Sequence, residues 1–186
     1  MRRHARPLLA ALSIFVLSAC VPAIAQQTAT PSAPPPPACD AAEHHQFDFW
    51  LGEWEVTGGP KLDQIVGGNT ITRVATGCAL HEHWVNTGGR DGHSLNVYDR
   101  DAKRWTQFWI GSDGGILRLT GGLRDDGAMA MEGVLPDGKG GVQRQRIVWT
   151  PREDGSVEQR WETSDDEGAH WQLSFLRIYR PLLAAP

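Results

Sequence analysis

The chain has 186 residues with 18 basic and 22 acidic side chains, a formal net charge of −4, which is room for one ordinary domain and a leader. Three of the arginines, Arg2, Arg3 and Arg6, stand at the extreme amino terminus. Without them 15 basic residues face 22 acidic ones, a net of −7, and no basic stripe is left to neutralise a row of phosphates, which excludes nucleic acid as a partner.

Residues 1–25 have the pattern of an export signal. The basic start is followed by an apolar run from Leu8 to Val16 and by Ala23-Ile24-Ala25, a small-x-small cleavage site with Pro22 just upstream. The run is too short to anchor in a bilayer as a helix. Leu17-Ser18-Ala19-Cys20 offers a second route, a lipoprotein box in which residues 1–19 are removed and Cys20 is lipidated. Either route delivers a periplasmic or secreted protein, and the second adds membrane attachment through Cys20 alone.

Residues 26–42 form a linker that is Gln, Thr, Ala, Ser and Pro from Gln26 to Ala38 and includes Pro34-Pro35-Pro36-Pro37. It has too little apolar surface to fold, and its prolines favour an extended spacer. Cys39 and Cys78 are the cysteines left for the mature domain. In an oxidising compartment they can bridge and clip the start of the domain to a neighbouring strand, or stand as two free thiols.

From residue 43 to 181 the pattern is β. Asp40 to Phe49 allows a short helical turn, and no later stretch sustains a helical period. Gly- and Asp-rich turns recur, among them Ser112-Asp113-Gly114-Gly115, Asp125-Asp126-Gly127 and Pro136-Asp137-Gly138. Alternating runs lie between them, such as Ser94 to Tyr98, Ile116 to Thr120, Arg144 to Thr150 and Gln172 to Tyr179. About ten strands joined by hairpins predict an all-β, up-and-down antiparallel sheet, and closure into a barrel removes its two exposed edges.

Ser164-Asp165-Asp166-Glu167-Gly168-Ala169-His170-Trp171 resembles the Asp-box hairpin of sialidases and related propellers. Its chemistry is local: Ser and Asp side chains accept turn N–H groups, Gly allows the bend and Trp packs behind. A propeller needs several copies on a longer chain, so one copy predicts a stapled hairpin.

A broader resemblance rests on several motifs together. They are Phe47-Asp48-Phe49-Trp50-Leu51-Gly52-Glu53-Trp54, Gly77-Cys78-x-x-x-Glu82-x-Trp84, Ser94-Leu95-Asn96-x-Tyr98-Asp99, Trp105-x-Gln107-x-Trp109 and Trp161-Glu162-x-Ser164. The first resembles the opening of lipocalin-like barrels, in which the Gly-x-Trp tryptophan plugs the closed end. The series, running from Phe47 to Tyr179, resembles a family of exported bacterial calycin-type barrels of unknown function. It implies a lipocalin-like fold and carries no catalytic residue or cofactor to transfer.

Residues two apart on a strand share a face. One face therefore collects Glu82 and Trp84, then Ser94, Asn96 and Tyr98, then Trp105, Gln107 and Trp109, then Gln159 and Trp161, with Arg146 joining if its strand keeps the same parity. Indoles mixed with a few polar groups suit a lumen that binds an unidentified small molecule; the alternative is a lumen filled by its own bonded side chains. Several polar groups would go unpaired against a pure alkyl chain, which disfavours long fatty acids.

His81 and His83 share the opposite face, roughly 7 Å apart at Cα, with His93 able to approach across a hairpin. That face points outward, so they are expected as solvated histidines, like His44 and His45, and no metal is assigned. His170, at the start of the last long strand, is the candidate for a haem-binding alternative. The motifs of serine hydrolases, zinc proteases and nucleotide-binding enzymes are missing, so no catalytic residue is assigned. Glu82, with a pKa raised by burial among tryptophans, is the one candidate general acid or base for a lumenal hydrolase or isomerase.

Overall fold

A computed structural model describes residues 39–182; the leader, Cys20 and the proline-rich segment as far as residue 38 lie outside the described residues. The leading segment carries two short 3-10 turns, Ala42–His45 and Asp48–Trp50, where the sequence allows a helical turn. Ten strands follow: β1 Gly52–Gly58, β2 Gln64–Val74, β3 Ala79–Asn86, β4 Asp91–Asp99, β5 Arg104–Gly111, β6 Ile116–Leu123, β7 Met129–Pro136, β8 Val142–Pro151, β9 Val157–Ser164 and β10 Gln172–Pro181. Each pairs antiparallel with its sequence neighbours, and β1 also pairs with β10 through Val56 opposite Tyr179 and Thr57 opposite Ile178. The sheet is a closed up-and-down barrel, as the spacing of turns and alternating runs predicts.

The hairpins repeat one device. Asp113, Asp126 and Asp154 each accept the backbone N–H two residues on through Oδ1, at 2.9, 3.1 and 3.0 Å. The glycine after each is left-handed, with φ near 80°, a conformation without cost only for glycine. The Asp-box hairpin is stapled as its sequence predicts. Ser164 Oγ accepts from Gly168 N at 2.9 Å, and Asp166 Oδ1 accepts from His170 N at 2.8 Å. Bonds to Asp166 from the His170 N–H, then from the Ser164 hydroxyl and the His170 ring, hold its carboxyl well below the usual carboxylate range.

One end of the barrel is packed shut. The leading segment inserts Phe47 and Trp50, both fully buried, and their rings stack at 4.9 Å and 17°. Phe47 meets Trp105 and Trp149 at 5.8 and 5.3 Å between centroids, and Trp50 meets Tyr179 at 6.2 Å. Trp54, the tryptophan of Gly-x-Trp, is 4% exposed and donates its indole N–H to the Trp50 carbonyl at 3.0 Å. Arg73 of β2 fastens the plug by pairing with Asp48 and donating to the Gly77 carbonyl.

The sulfurs of Cys39 and Cys78 are at bonding distance, 2.10 Å, across a sequence separation of 39. The bridge ties the residue before the plug to the start of β3. A closed loop of that length constrains the unfolded chain by about 4 kcal/mol. Replacing both cysteines by serine is expected to lower Tm, with dithiothreitol producing the same drop in the wild type and none in the variant.

Candidate functional site

Above the plug the barrel encloses a cavity of about 220 Å³. Trp149 and Tyr179 form its floor, since each touches a plug ring and also lines the cavity. One wall carries Glu82 and Trp84 of β3, Gln107 and Trp109 of β5 and Leu117 of β6; the other carries Ile147 of β8, Gln159 and Trp161 of β9, and Phe175 and Arg177 of β10. Trp84 and Trp109 lie flat against the wall because glycine faces them. A Cβ at Gly92 would meet Trp109 Cζ2 at 2.2 Å, and one at Gly67 would meet Trp84 Cη2 at 2.7 Å.

The acidic group of the cavity sits in a chain of hydrogen bonds set by strand register. Glu82 lies opposite Ser94, and Asn96 opposite Gln107. Asn69 Nδ2 donates to Glu82 Oε1 and Ser94 Oγ to Glu82 Oε2, both at 2.7 Å. Asn96 donates to Ser94 Oγ and Gln107 donates to Asn96 Oδ1, each at 2.9 Å. Burial pushes the Glu82 carboxyl up to about 7, against the bonds from Ser94 and Asn69, which favour the anion. Burial, then the neighbouring Glu82 charge, likewise holds the Tyr179 phenol protonated well above its usual range, and that phenol donates to Gln159 Oε1 at 3.0 Å.

The cation of the cavity is Arg177. Its guanidinium lies 4.5 Å from the Phe175 ring centre, in space that Gly58 leaves free: a Cβ there would meet Arg177 Nη1 at 2.5 Å. Among the described residues it forms no ion pair. Burial lowers its pKa, yet a guanidinium stays charged at neutral pH. The Trp149 indole N–H is buried and has no partner among the described residues.

The residues expected on the inner face divide by depth. Glu82, Trp84, Gln107, Trp109, Gln159 and Trp161 line the cavity. Asn96 is fully buried behind Gln107. Tyr98 and Trp105 point inward at the plugged end, where Trp105 Nε1 donates to Gln46 Oε1 at 3.1 Å and Tyr98 meets His44; they take part in the packing and not in the cavity. Arg146 is corrected outright. On β8 the inward positions are Gln145, Ile147 and Trp149, so Arg146 points outward, donates to Glu162 at 2.7 and 2.9 Å and lies 4.0 Å from the Trp171 ring centre.

Arg177, Phe175 and Tyr179 of β10 and Trp149 of β8 were not among the expected residues. Gln145-x-Ile147-x-Trp149 repeats the alternation of Trp105-x-Gln107-x-Trp109, so Trp149 carried the parity signal for its strand. On β10 the register slips between Leu173 and Phe175, and nothing in the sequence marks that irregularity. His81 and His83 face outward, with His93 opposite His83 in the register. His170 has a ring 87% exposed and bonded to Asp166 at 2.6 Å, and the cavity lining contains no histidine that could hold haem iron. The chain matches no protein-family model and no curated protein.

Because folding raises the Glu82 pKa, the folded state holds a proton that the unfolded chain has released. Stability from this source is full below about 4.5, is lost as pH rises towards 7 and then levels off. The loss is on the order of 3 kcal/mol. Glu82→Gln is expected to flatten this limb in denaturant melts between pH 5 and 8 and to be more stable than wild type at pH 8.

Proposed function

We propose that the protein is a binding barrel for a small aromatic anion, a single-ring carboxylate or a group of like shape. The observation that carries the reading is a guanidinium, Arg177, that forms no ion pair among the described residues and lies inside a cavity walled by Trp84, Trp109 and Trp161. A half-buried cation is stabilised by an opposite charge, and Glu82, half neutral near pH 7 and engaged with Asn69 and Ser94, supplies little of it. Indole faces favour a ring, and Gln107 and Gln159 offer further polar partners. Size supports the same class: a cavity of about 150 Å³ takes benzene, so 220 Å³ suits one ring with a polar substituent. Long acyl chains and haem are too large for it.

The reading includes export. The signal pattern of residues 1–25 supports action outside the cytoplasm, and an inhibitor of lipoprotein processing separates cleavage after Ala25 from lipidation at Cys20. Soluble protein whose mobility is unchanged by the inhibitor excludes the anchor.

A panel of benzoate, phenylacetate and 4-hydroxybenzoate, with their neutral amides and with palmitate, tests the ligand class by quenching of tryptophan fluorescence and by calorimetry. Acids are expected to bind, amides at least about tenfold more weakly, and palmitate not at all. Arg177→Met should cost the acids about tenfold or more by removing one partner of a desolvated charge pair, while leaving the amides unchanged. Equal binding of acids and amides, or no binding by the panel, overturns the reading.

One observation favours a second reading, a lumenal enzyme of hydrolase or isomerase type. A carboxyl brought to about 7 inside a cavity is suited to giving or taking a proton at neutral pH. Glu82→Gln separates the two: it spares binding in both and abolishes turnover only under the second.

A further inference from the structure

The β3–β4 hairpin carries a second cluster on its outer surface, unrelated to the cavity. His83 stands opposite His93 in the register, and their rings are parallel, 4.3 Å apart at 9°. Asp91 Oδ2 is 3.7 Å from Nε2 of His83 and 3.7 Å from Nε2 of His93. One ligating atom from each of the three residues falls within 4.8 Å of the others.

We propose that His83, Asp91 and His93 form a surface site for a borderline divalent transition metal ion of the Zn²⁺, Ni²⁺ or Cu²⁺ class. A separation of 3.7 Å is too long for a hydrogen bond. It is close to the roughly 3.4 Å between two ligand atoms around tetrahedral zinc with bonds near 2.1 Å. The three atoms thus lie within 4.8 Å of one another without bonding, and a turn of the two parallel rings about χ2 brings both lone pairs onto one ion. Two imidazoles and one carboxylate select zinc-like ions over Ca²⁺ and Mg²⁺, which require oxygen shells. Three protein ligands leave the fourth position to water, and the half-exposed rings give the ion a way in.

The hairpin also supplies the outer hydrogen bond that metal-bound histidines need. His93 Nδ1 lies 3.1 Å from His81 Nε2, so a His93 that binds through Nε2 donates its remaining N–H to His81. Such a bond fixes the tautomer and orientation of a ligand. His81 is thus a positioning residue and not a ligand. Exposed Val85, Leu95 and Ile110 flank the cluster as the cross-strand partners of Asp91, His81 and His93, which limits competing polar groups around the ion.

The test uses the untagged chain, titrated with ZnCl₂ by calorimetry and with CoCl₂ by visible absorption. One equivalent is expected to bind, with the absorption of four-coordinate Co²⁺. His83→Asn and His93→Asn should each weaken binding by about 100-fold or more, and His81→Phe by about tenfold at unchanged stoichiometry. Ring resonances of His83 and His93 should shift with Zn²⁺ in the unaltered protein, a readout independent of whether any variant folds. No uptake by the wild type, uptake unchanged in both asparagine variants, or shifts confined to His44, His45 or His170 would overturn the site.

Discussion

The insertion of Phe47 and Trp50 into one end of the barrel is the packing event on which the rest depends. A closed sheet turns every second residue of ten strands inward, and those residues must meet each other, a ligand or water. The plug fills the lower lumen with rings, meeting Trp105, Trp149 and Tyr179. It thereby sets where packing stops and the cavity begins. Asp48, paired with Arg73, and the bridge from Cys39 to Cys78 act on the same short segment, so a covalent link, an ion pair and buried aromatic area all hold one structure.

With the lower end closed, the upper cavity is a place of restricted solvation, and its carboxyl and guanidinium behave differently. Glu82 is almost fully enclosed and hydrogen-bonded by Asn69 and Ser94, yet desolvation outweighs those bonds and favours the neutral acid. Arg177 keeps its charge because a guanidinium is delocalised and weakly hydrated, and it rests on the Phe175 face. A cavity with one persistent cation and one acid near its midpoint at neutral pH has a positive bias. That bias is the physical basis for reading it as an anion site.

The β3–β4 hairpin serves both surfaces of the wall through one alternation. Glu82, Trp84 and Ser94 face in, while His81, His83, Asp91 and His93 face out. Inside, low polarity moves a carboxyl towards neutrality; outside, the imidazoles of His83 and His93 stay half-exposed to solvent. Similar parity explains the outer cluster of Glu162 with Arg146 and Arg160, which holds β8 to β9 and leaves the inner residues of those strands to the cavity.

The sequence by itself determined the strand number, the up-and-down order, the stapled Asp-box turn and the face on which Glu82, Gln107, Trp109 and Trp161 stand. These follow from local rules, since alternation of period two and Asp-Gly turns act over a few residues. Only the tertiary structure decided depth along the lumen, which separates Trp105 and Tyr98 in the plug from Trp109 and Trp84 in the cavity. Alternation says which side a residue faces and nothing about its height in a closed barrel. The structure also replaced Arg146 with Arg177 as the inner cation. The parity of β8 could be read from Trp149, but that of β10 depends on a register slip between Leu173 and Phe175, and such a slip is settled by pairing with a distant strand and not by the residues themselves.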